Sequence, residues 1–213
     1  MMGIKQFGML VLTLVIGVST AQAADSDAAE KLAAELKGYT TYQADFIQIV
    51  VDGNGSEVQE SRGSLKAKRP GLFYWETDRP MAQFIASNDE KVEVYDPDLE
   101  QVTIHALDQQ VANTPAMLLS GEVGNLSENY EVSVRAIGEN SNTYTLIPTS
   151  QDSLFVSLDM TFYDGKLEEM RLEDSLGQRS ILSFNNIVLN DEIADSDFVL
   201  DYPDNVDVIQ GES

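Results

Sequence analysis

Apolar and polar residues alternate along most of this chain with a period of two. The alternation starts with Tyr42, Ala44, Phe46 and Val50, and the turn Asp52-Gly53-Asn54-Gly55 follows. Strands with one buried face show this pattern, and such a turn joins antiparallel neighbours. The pattern recurs at 63–75, 82–87, 92–94, 102–106, 130–134, 144–146, 154–163, 170–172 and 182–188. This spacing predicts a mainly β fold of about eleven strands.

The longest of these segments runs from Leu154 to Tyr163. Side chains two apart in a strand point to the same side, so one face of this strand is predicted to be wholly apolar. That face consists of Leu154, Val156, Leu158, Met160 and Phe162.

The segment before the first strand predicts a helix over residues 27–37. Leu32 and Leu36 are four residues apart, which places them on one helical face. Asp27 is predicted as its N-cap, and Gly38 is predicted to end it.

Residues 106–121 lose the alternation and predict a second, short helical piece. Thr114 is a suitable cap and Pro115 suits a first helical position. Met117 and Leu118 follow as apolar residues, and Gly121 lies at the end.

One sheet of this size must curl to bury a face. Its interior then has three possible fillings, which periodicity does not separate: its own side chains, the helical pieces, or an apolar ligand. No repeat or low-complexity linker divides the chain, so residues 24–213 are predicted to form a single domain.

The first 23 residues have the pattern of a signal peptide. Lys5 supplies the positive start, residues 9–18 the apolar run, and Ala21-Gln22-Ala23 the small-residue cleavage site. A bacterial lipoprotein needs a cysteine at its cleavage site, and this chain contains none. We therefore expect an exported protein without a lipid anchor or stable membrane insertion, located in the periplasm.

The formal net charge is −23 at pH 7, which disfavours nucleic acid and anionic lipid headgroups as partners. Four cations nevertheless fall close together, at Arg62, Lys66, Lys68 and Arg69. Two readings stay open for them. They form a positive patch that steers an acidic partner, or a solvated strand edge that lysines keep from pairing.

Catalytic signatures are scarce. His105 is the sole histidine, and the pattern of its neighbours predicts that it faces away from the core. The sequence has no cysteine nucleophile, G-x-S-x-G elbow or calcium loop, so no metal and no cofactor is expected. A carboxylate-pair glycosidase remains as a catalytic alternative because acidic residues are numerous. A binding protein without enzyme activity is favoured.

The stretch from Gly63 to Trp75 combines an arginine with an aromatic patch. Leu65 and Arg69 lie on one side of an extended segment, and after Pro70 a second extended run places Phe73 and Trp75 on one face. The plainest interpretation is a hairpin with a solvated arginine and a core tryptophan.

Motifs across nearly the whole chain, in order, resemble the LolA family of periplasmic lipoprotein carriers. They are F-I-Q at 46–48, the D-G-N-G turn, G-x-L at 63–65, K-R-P at 68–70, Phe73 with Trp75, N-T-P at 113–115 with Met117 and Leu118, and D-F-V-L at 197–200 with Pro203 and Val206. The resemblance implies an incomplete antiparallel β-barrel of about eleven strands, with about three short helices forming a lid.

The resemblance also implies a function and partners. A monomeric carrier would accept triacylated lipoproteins from the inner-membrane transporter LolCDE and hand them to the receptor LolB. Arg69 would hydrogen-bond the lid backbone and hold the empty form shut, and Phe73 would lie near the cavity mouth. The residues expected to line the cavity or its mouth are Leu65, Phe73, Trp75, Met117, Leu118, Leu158 and Met160.

Two binding-protein alternatives stay open beside the carrier. A LolB-like receptor has a similar fold, although the missing cysteine argues against it. A periplasmic sensor would use the same fold for a different lipid.

Overall fold

The computed structural model describes residues 22–88, 90–107, 118–121, 123–151, 153 and 155–211, with side chains from residue 27 onward except that of Arg79. Residues 1–21 of the predicted signal peptide (1–23) and Met117 lie outside these residues. Among those described, no helix is long and apolar enough to cross a membrane.

Within these residues the regular elements are mostly strands. The helices are α1 (Gln22–Lys37), α2 (Leu126–Asn129) and a 3₁₀ helix (Asp195–Phe198). The strands are β1 (Thr41–Val51), β2 (Glu57–Lys68), β3 (Leu72–Arg79), β4 (Gln83–Ser87), β5 (Lys91–Asp96), β6 (Gln101–Ala106), β7 (Tyr130–Gly138), β8 (Ser141–Pro148), β9 (Ser157–Tyr163), β10 (Lys166–Glu173), β11 (Arg179–Leu189) and β12 (Asp207–Gln210).

The strands form one open sheet in the order β12-β6-β5-β4-β3-β2-β1-β11-β10-β9-β8-β7. Strands β1 to β11 pair with their neighbours antiparallel, and β12 joins the edge strand β6 parallel. The predicted mainly β architecture is therefore confirmed. The wholly antiparallel expectation misses β12, because a four-residue exposed strand carries too few positions to show alternation.

Helix α1 differs from its prediction at the beginning and agrees at the end. It starts at Gln22, so Asp27 lies inside it and pairs with Lys31 at 2.7 Å instead of capping it. The main-chain N–H of Gly38 donates to the Glu35 carbonyl at 3.0 Å and terminates the helix as predicted. Leu32 and Leu36 are fully buried, which confirms the apolar face.

Strand β9 is shorter than predicted. It starts at Ser157, and the Val156 side chain before it is 45% exposed instead of pointing inward. Leu158, Met160 and Phe162 are buried on one face as expected, while Leu154 lies outside the described residues.

One face of the sheet, here called the inner face, carries the main core. Cross-strand partners share a face, and the row Tyr42, Ala67 and Phe73 identifies this one. Helix α1 and residues 118–126 cover it with Leu32, Leu36, Leu118, Leu119, Val123 and Leu126, all buried in the same cluster. Among the described residues, side chains of the sheet and of its covering segments pack together in this interior.

The opposite, outer face carries a smaller apolar layer at the β3–β6 end. The C-terminal segment 190–206 crosses it, as shown by the contact between the rings of Tyr95 and Tyr202, whose centroids are 5.7 Å apart. Ala86 and Val102 of the sheet and Ile193, Phe198 and Leu200 of the segment are buried. The same segment then continues into β12.

The predicted helix over 106–121 is described only at its end. Strand β6 includes Ala106, and residues 118–119 form a 3₁₀ turn that runs into Ser120 and Gly121. Thr114, Pro115 and Met117 lie outside the described residues.

Candidate functional site

The β2–β3 connection is a tight turn that projects Arg69 over the inner face. Strand β2 ends at Lys68, β3 begins at Leu72, and Gly71 between them has a φ of 76°. Only glycine adopts that left-handed conformation without strain, so the K-R-P-G sequence dictates the turn. The main-chain N–H of Arg69 donates to the Thr40 carbonyl at 2.8 Å, which fixes the base of the side chain.

The turn is hydrogen-bonded to the segment 118–121. The Arg69 guanidinium donates through Nη1 to the Gly121 carbonyl and through Nη2 to the Leu118 carbonyl, the latter at 2.9 Å. Between them, the main-chain N–H of Gly71 donates to the Ser120 carbonyl at 2.8 Å. We call these three hydrogen bonds the latch. Free carbonyls at a helix-like end attract cations, so an arginine fork suits this position.

Tyr39 forms one wall of the latch. The Cζ atom of Arg69 lies 5.4 Å from the centroid of the Tyr39 ring, within cation–π range. The Tyr39 side chain is 2% exposed, and this burial raises the pKa of its hydroxyl to about 12, although the Arg69 charge opposes the rise. Tyr39 lies in the short connection between α1 and β1, and no sequence signal singled it out.

Aromatic side chains continue the inner face below the latch. The rings of Phe46 and Trp75 stack with centroids 4.0 Å apart, and those of Phe73 and Trp75 lie 6.2 Å apart. The indole Nε1 of Trp75 donates to the Thr77 hydroxyl at 2.9 Å, so its polar atom is satisfied within β3. The result is a rigid apolar surface next to a buried cation.

Most of the cavity residues named from the sequence are brought together as buried, packed side chains. Leu65, Phe73, Leu118, Leu158 and Met160 belong to one buried cluster, and Trp75 packs against it. Phe73 is 2% exposed, so in this closed arrangement it is a core side chain and not an exposed mouth residue. Met117 lies outside the described residues.

Comparison with known proteins gives this arrangement a family. The family model described as "Outer membrane lipoprotein carrier protein LolA" matches residues 37–201. The chain belongs to the LolA family.

Relatives of high identity span almost the same length. An outer-membrane lipoprotein carrier protein of Chromohalobacter salexigens is 46% identical over 191 residues, which are 90% of this chain and 90% of that one. Another, of Pseudomonas paraeruginosa, is 43% identical and covers 95% of this chain and 97% of its own. In structure, an uncharacterized conserved protein from Thermus thermophilus shares the fold, with a TM-score of 0.55 at 14% identity over 86% of this chain and 99% of that one.

Lys68 has a role in this LolA family member that sequence reasoning missed. Its Nζ donates to the Ile193 carbonyl at 2.7 Å and pairs with Asp195 at 2.6 Å, which fastens the C-terminal segment to the outer face. The sequence placed Lys68 opposite Arg69 correctly, but it gave no sign of a partner 125 residues away.

The four clustered cations do not form one patch. Arg69 lies on the inner face, and Lys68 is engaged by the C-terminal segment. Arg62 pairs with Glu60 at 2.8 Å, and the Lys66 ammonium lies 5.7 Å from the Tyr74 ring centroid. The hypothesis of a joint positive docking patch is therefore not supported by their placement.

The prediction that His105 faces away from the core is wrong. The register pairs His105 with Val92, Val92 with Ser87, and Ser87 with Phe73, so all four side chains share the inner face. The alternation was misleading because Val102 and Ile104 lie on the outer face. Val102 is paired with Tyr95, which contacts Tyr202 of the C-terminal segment. Within the described residues, no group of His, Asp or Glu is placed to hold a metal ion.

Proposed function

We propose that this LolA family protein carries triacylated lipoproteins across the periplasm, accepting them from LolCDE and delivering them to LolB. Family membership and the relatives named as lipoprotein carriers support the cargo class. The partners and the periplasmic location follow from the family resemblance and from the signal-peptide pattern of residues 1–23. The carrier itself is then residues 24–213, acting as a monomer.

The physical problem for such a carrier is the cost of exposing acyl chains. Each buried CH₂ group contributes about 0.8 kcal/mol, so three long chains leave a membrane negligibly without a protein to receive them. The carrier must therefore offer apolar surface of comparable size. It must also release the chains again.

The inner face supplies that surface when its cover moves. Leu118, Leu119, Val123 and Leu126 fill the space above the sheet in this closed arrangement. If residues 118–126 swing away, acyl chains can replace these side chains against the Phe46, Phe73 and Trp75 surface at little net cost, because one apolar contact substitutes for another. Covering segment and cargo thus compete for the same surface.

The latch is the observation that carries the proposal. Hydrogen bonds that involve a charged group contribute about 1.5–3 kcal/mol each, and Arg69 supplies two of them to the cover. Cargo binding must break them, and their return upon closing favours release. A closed state stabilised by this amount lowers cargo affinity enough for handover without an energy source.

Arg69→Leu tests the latch directly. The variant keeps the apolar volume but lacks both donors, so we expect it to hold cargo and to deliver it to LolB at least about 10-fold more slowly. The measurement is transfer of a fluorescent lipoprotein from the purified carrier to liposomes that contain LolB. Arg62→Leu is the matched control because Arg62 lies on β2, close to Arg69 in sequence, and forms an exposed ion pair with Glu60. Equal transfer rates for Arg69→Leu and wild type would remove the latch from the mechanism.

A further inference from the structure

Three polar side-chain atoms are buried around the latch without a hydrogen-bond partner in the part of the chain that the structure describes. They are the Tyr39 hydroxyl, the Arg69 Nε and the Ser120 hydroxyl. Buried polar groups are almost always paired, because leaving one unpaired costs its full desolvation. Three of them in one place therefore require an explanation.

All three belong to the same contact between the turn and its cover. The Arg69 guanidinium lies against the Tyr39 ring, and the Tyr39 hydroxyl makes no well-aligned hydrogen bond with it. Ser120 lies between Leu118 and Gly121, whose carbonyls Arg69 engages, and its own carbonyl accepts from Gly71. All three latch hydrogen bonds thus end on main-chain carbonyls, whereas the hydroxyls of Tyr39 and Ser120 and the Arg69 Nε donate to none of them.

The unused groups are all capable of donating. Arg69 Nε–H is a donor only, and the hydroxyls of Tyr39 and Ser120 donate to any oxygen acceptor. The Tyr39 hydroxyl is protonated at neutral pH, as an ordinary tyrosine is, and burial raises its pKa further, to about 12. The ligand that matches this set is therefore rich in acceptor oxygens.

From this geometry we infer that Tyr39 and the Arg69 Nε, which stay with the sheet when the cover moves, form a polar subsite for the ester and amide carbonyls that join the acyl chains to the cysteine of the cargo. The inference rests on the proposed carrier function and adds to it the part of the cargo that is recognised. Acyl chains on the inner face place their carbonyls at its polar border, which is where the latch lies.

Neutral carbonyls fit better than an anionic headgroup. The two guanidinium nitrogens that are engaged already bind neutral carbonyl oxygens, and Arg69 forms no ion pair with a described carboxylate. The net charge of −23 also opposes the approach of an anion.

The subsite gives the cargo-bound form hydrogen bonds that the closed form lacks. The closed form leaves three donors unpaired. When the cover moves, a bound ester or amide pairs the Tyr39 hydroxyl and the Arg69 Nε, and the Ser120 hydroxyl, released with the cover, is hydrated. A ligand shifts a conformational equilibrium only through such a difference between the two states. Carbonyl recognition thus favours opening when true cargo arrives, and a plain hydrocarbon lacks this contribution.

The test compares two probes that differ only in these carbonyls. One is a synthetic dipalmitoylglyceryl-cysteinyl peptide with ester-linked chains, and the other is its ether-linked analogue. The single tryptophan, Trp75, lies on the inner face and reports binding by its fluorescence. Wild type is expected to bind the ester probe about 5- to 10-fold more tightly, as one or two hydrogen bonds would give.

Tyr39→Phe and Ser120→Ala separate recognition from structure. Each removes an unpartnered hydroxyl, so the melting temperature of the empty protein should stay the same or rise by a few degrees, ~2–4 °C. The ester preference should shrink toward 1 in Tyr39→Phe, whereas Ser120→Ala, whose hydroxyl leaves with the cover, should keep it. A merely structural role for the Tyr39 hydroxyl would leave the ester preference intact in both variants.

Each outcome decides the matter. An unchanged ester preference in Tyr39→Phe, or none in wild type, overturns the subsite while leaving the carrier function standing if both probes bind. Failure of both probes to bind wild type overturns the carrier function as well. Free palmitate is the third probe: if it competes as well as the ester peptide and depends equally on Tyr39, the site takes carboxylates and the assignment to cargo carbonyls is wrong.

Discussion

Lys68 and Arg69 are neighbours in sequence, and each fastens a covering segment to the sheet, but on opposite faces. Arg69 binds main-chain carbonyls of residues 118–121 beside buried Tyr39. Lys68 binds Ile193 and Asp195 where the lysine side chain is 30% exposed and that of the aspartate 77% exposed. The two Arg69 hydrogen bonds and the Lys68 bond to Ile193 are all partly buried, whereas the Lys68–Asp195 pair is exposed and contributes less. The inner fastening therefore has two partly buried charged hydrogen bonds, and the outer one has one.

The inner cover (residues 118–126) and the outer cover (the C-terminal segment 190–206) also differ in their other hydrogen bonds. The outer cover continues into β12, whose parallel pairing with β6 extends from Asp207 to Gln210. At its beginning, the Asn190 carboxamide oxygen accepts from the Thr40 N–H at 2.8 Å, and the Thr41 hydroxyl donates to the Asp191 carbonyl at 2.8 Å. The described residues of the inner cover join no strand ladder and rely on the latch and apolar packing. Under the proposed function, the inner cover is therefore the one expected to open, because it is held at a few points, whereas the outer one continues into a strand of the sheet.

Phe73→Glu should cause the largest loss of unfolding free energy, because Phe73 is part of the apolar surface beneath the inner cover. Truncating a buried phenylalanine costs about 3–5 kcal/mol, and the glutamate adds an unpaired buried charge. We expect a loss of unfolding free energy of at least about 4 kcal/mol in denaturant titration. Tyr74→Glu is the control, because Tyr74 is the next residue of β3 and lies half-buried on the outer face.

If Phe73→Glu unfolds with nearly the wild-type free energy, the inner cover is open in solution. Phe73 would then be a true mouth residue, and the contrast between the two covers would be larger than the closed structure shows.

Sequence patterning predicted the sheet far better than the contacts between distant segments. Alternation located the strands, because each exposes one face to the core and one to solvent. It failed at His105, because the buried residue of β6, Val102, faces the outer apolar layer, so apolarity does not mark the inner side of this strand. Arg69 was conspicuous because it precedes Pro70, but its partners lie 49 and 52 residues away and depend on the fold alone.

Tyr39 was missed for a related reason. It stands in a short Gly-Tyr-Thr connection that has the composition of a turn, and turns are normally exposed. Its burial follows from the Arg69 turn covering it, which no local pattern encodes. Sequence periodicity therefore predicts the strands and their buried faces in this protein. The hydrogen bonds that hold the covering segments to the sheet are visible only in the folded structure.

Ionisation of Tyr39 at high pH should have the second largest effect, acting on the inner cover alone. The pKa of Tyr39 is about 12 in the folded chain and 10.0 in its ordinary state. The folded state therefore keeps this proton when the unfolded state loses it. The stability contribution is complete below about pH 10 and declines as pH rises toward about 12, by about 2–3 kcal/mol at roughly 1.4 kcal/mol per pH unit.

Tyr39→Phe isolates this contribution from other groups that titrate in alkali. Between about pH 9 and about pH 11.5, wild type should lose about 2 kcal/mol more unfolding free energy than the variant, measured by urea titration. Equal losses would show that Tyr39 is accessible to water in the folded protein, and that the inner cover is looser than the latch geometry implies.

Lys68→Ala should have the smallest effect, and it tests whether the outer fastening is as weak as its exposure indicates. An exposed ion pair contributes about 0.2–1 kcal/mol, and β12 continues to hold the segment after the lysine is lost. We expect a decrease of less than about 1 kcal/mol that shrinks further at about 1 M salt, with cargo transfer unchanged. Asp195→Asn is the matched control, since it removes the charge of the pair and leaves the Lys68 hydrogen bond to Ile193 in place. A loss of unfolding free energy comparable to that of Phe73→Glu, or slower cargo transfer, would mean that the two covers open and close together. Lys68 and Arg69 would then differ in the face that they bind and not in their role.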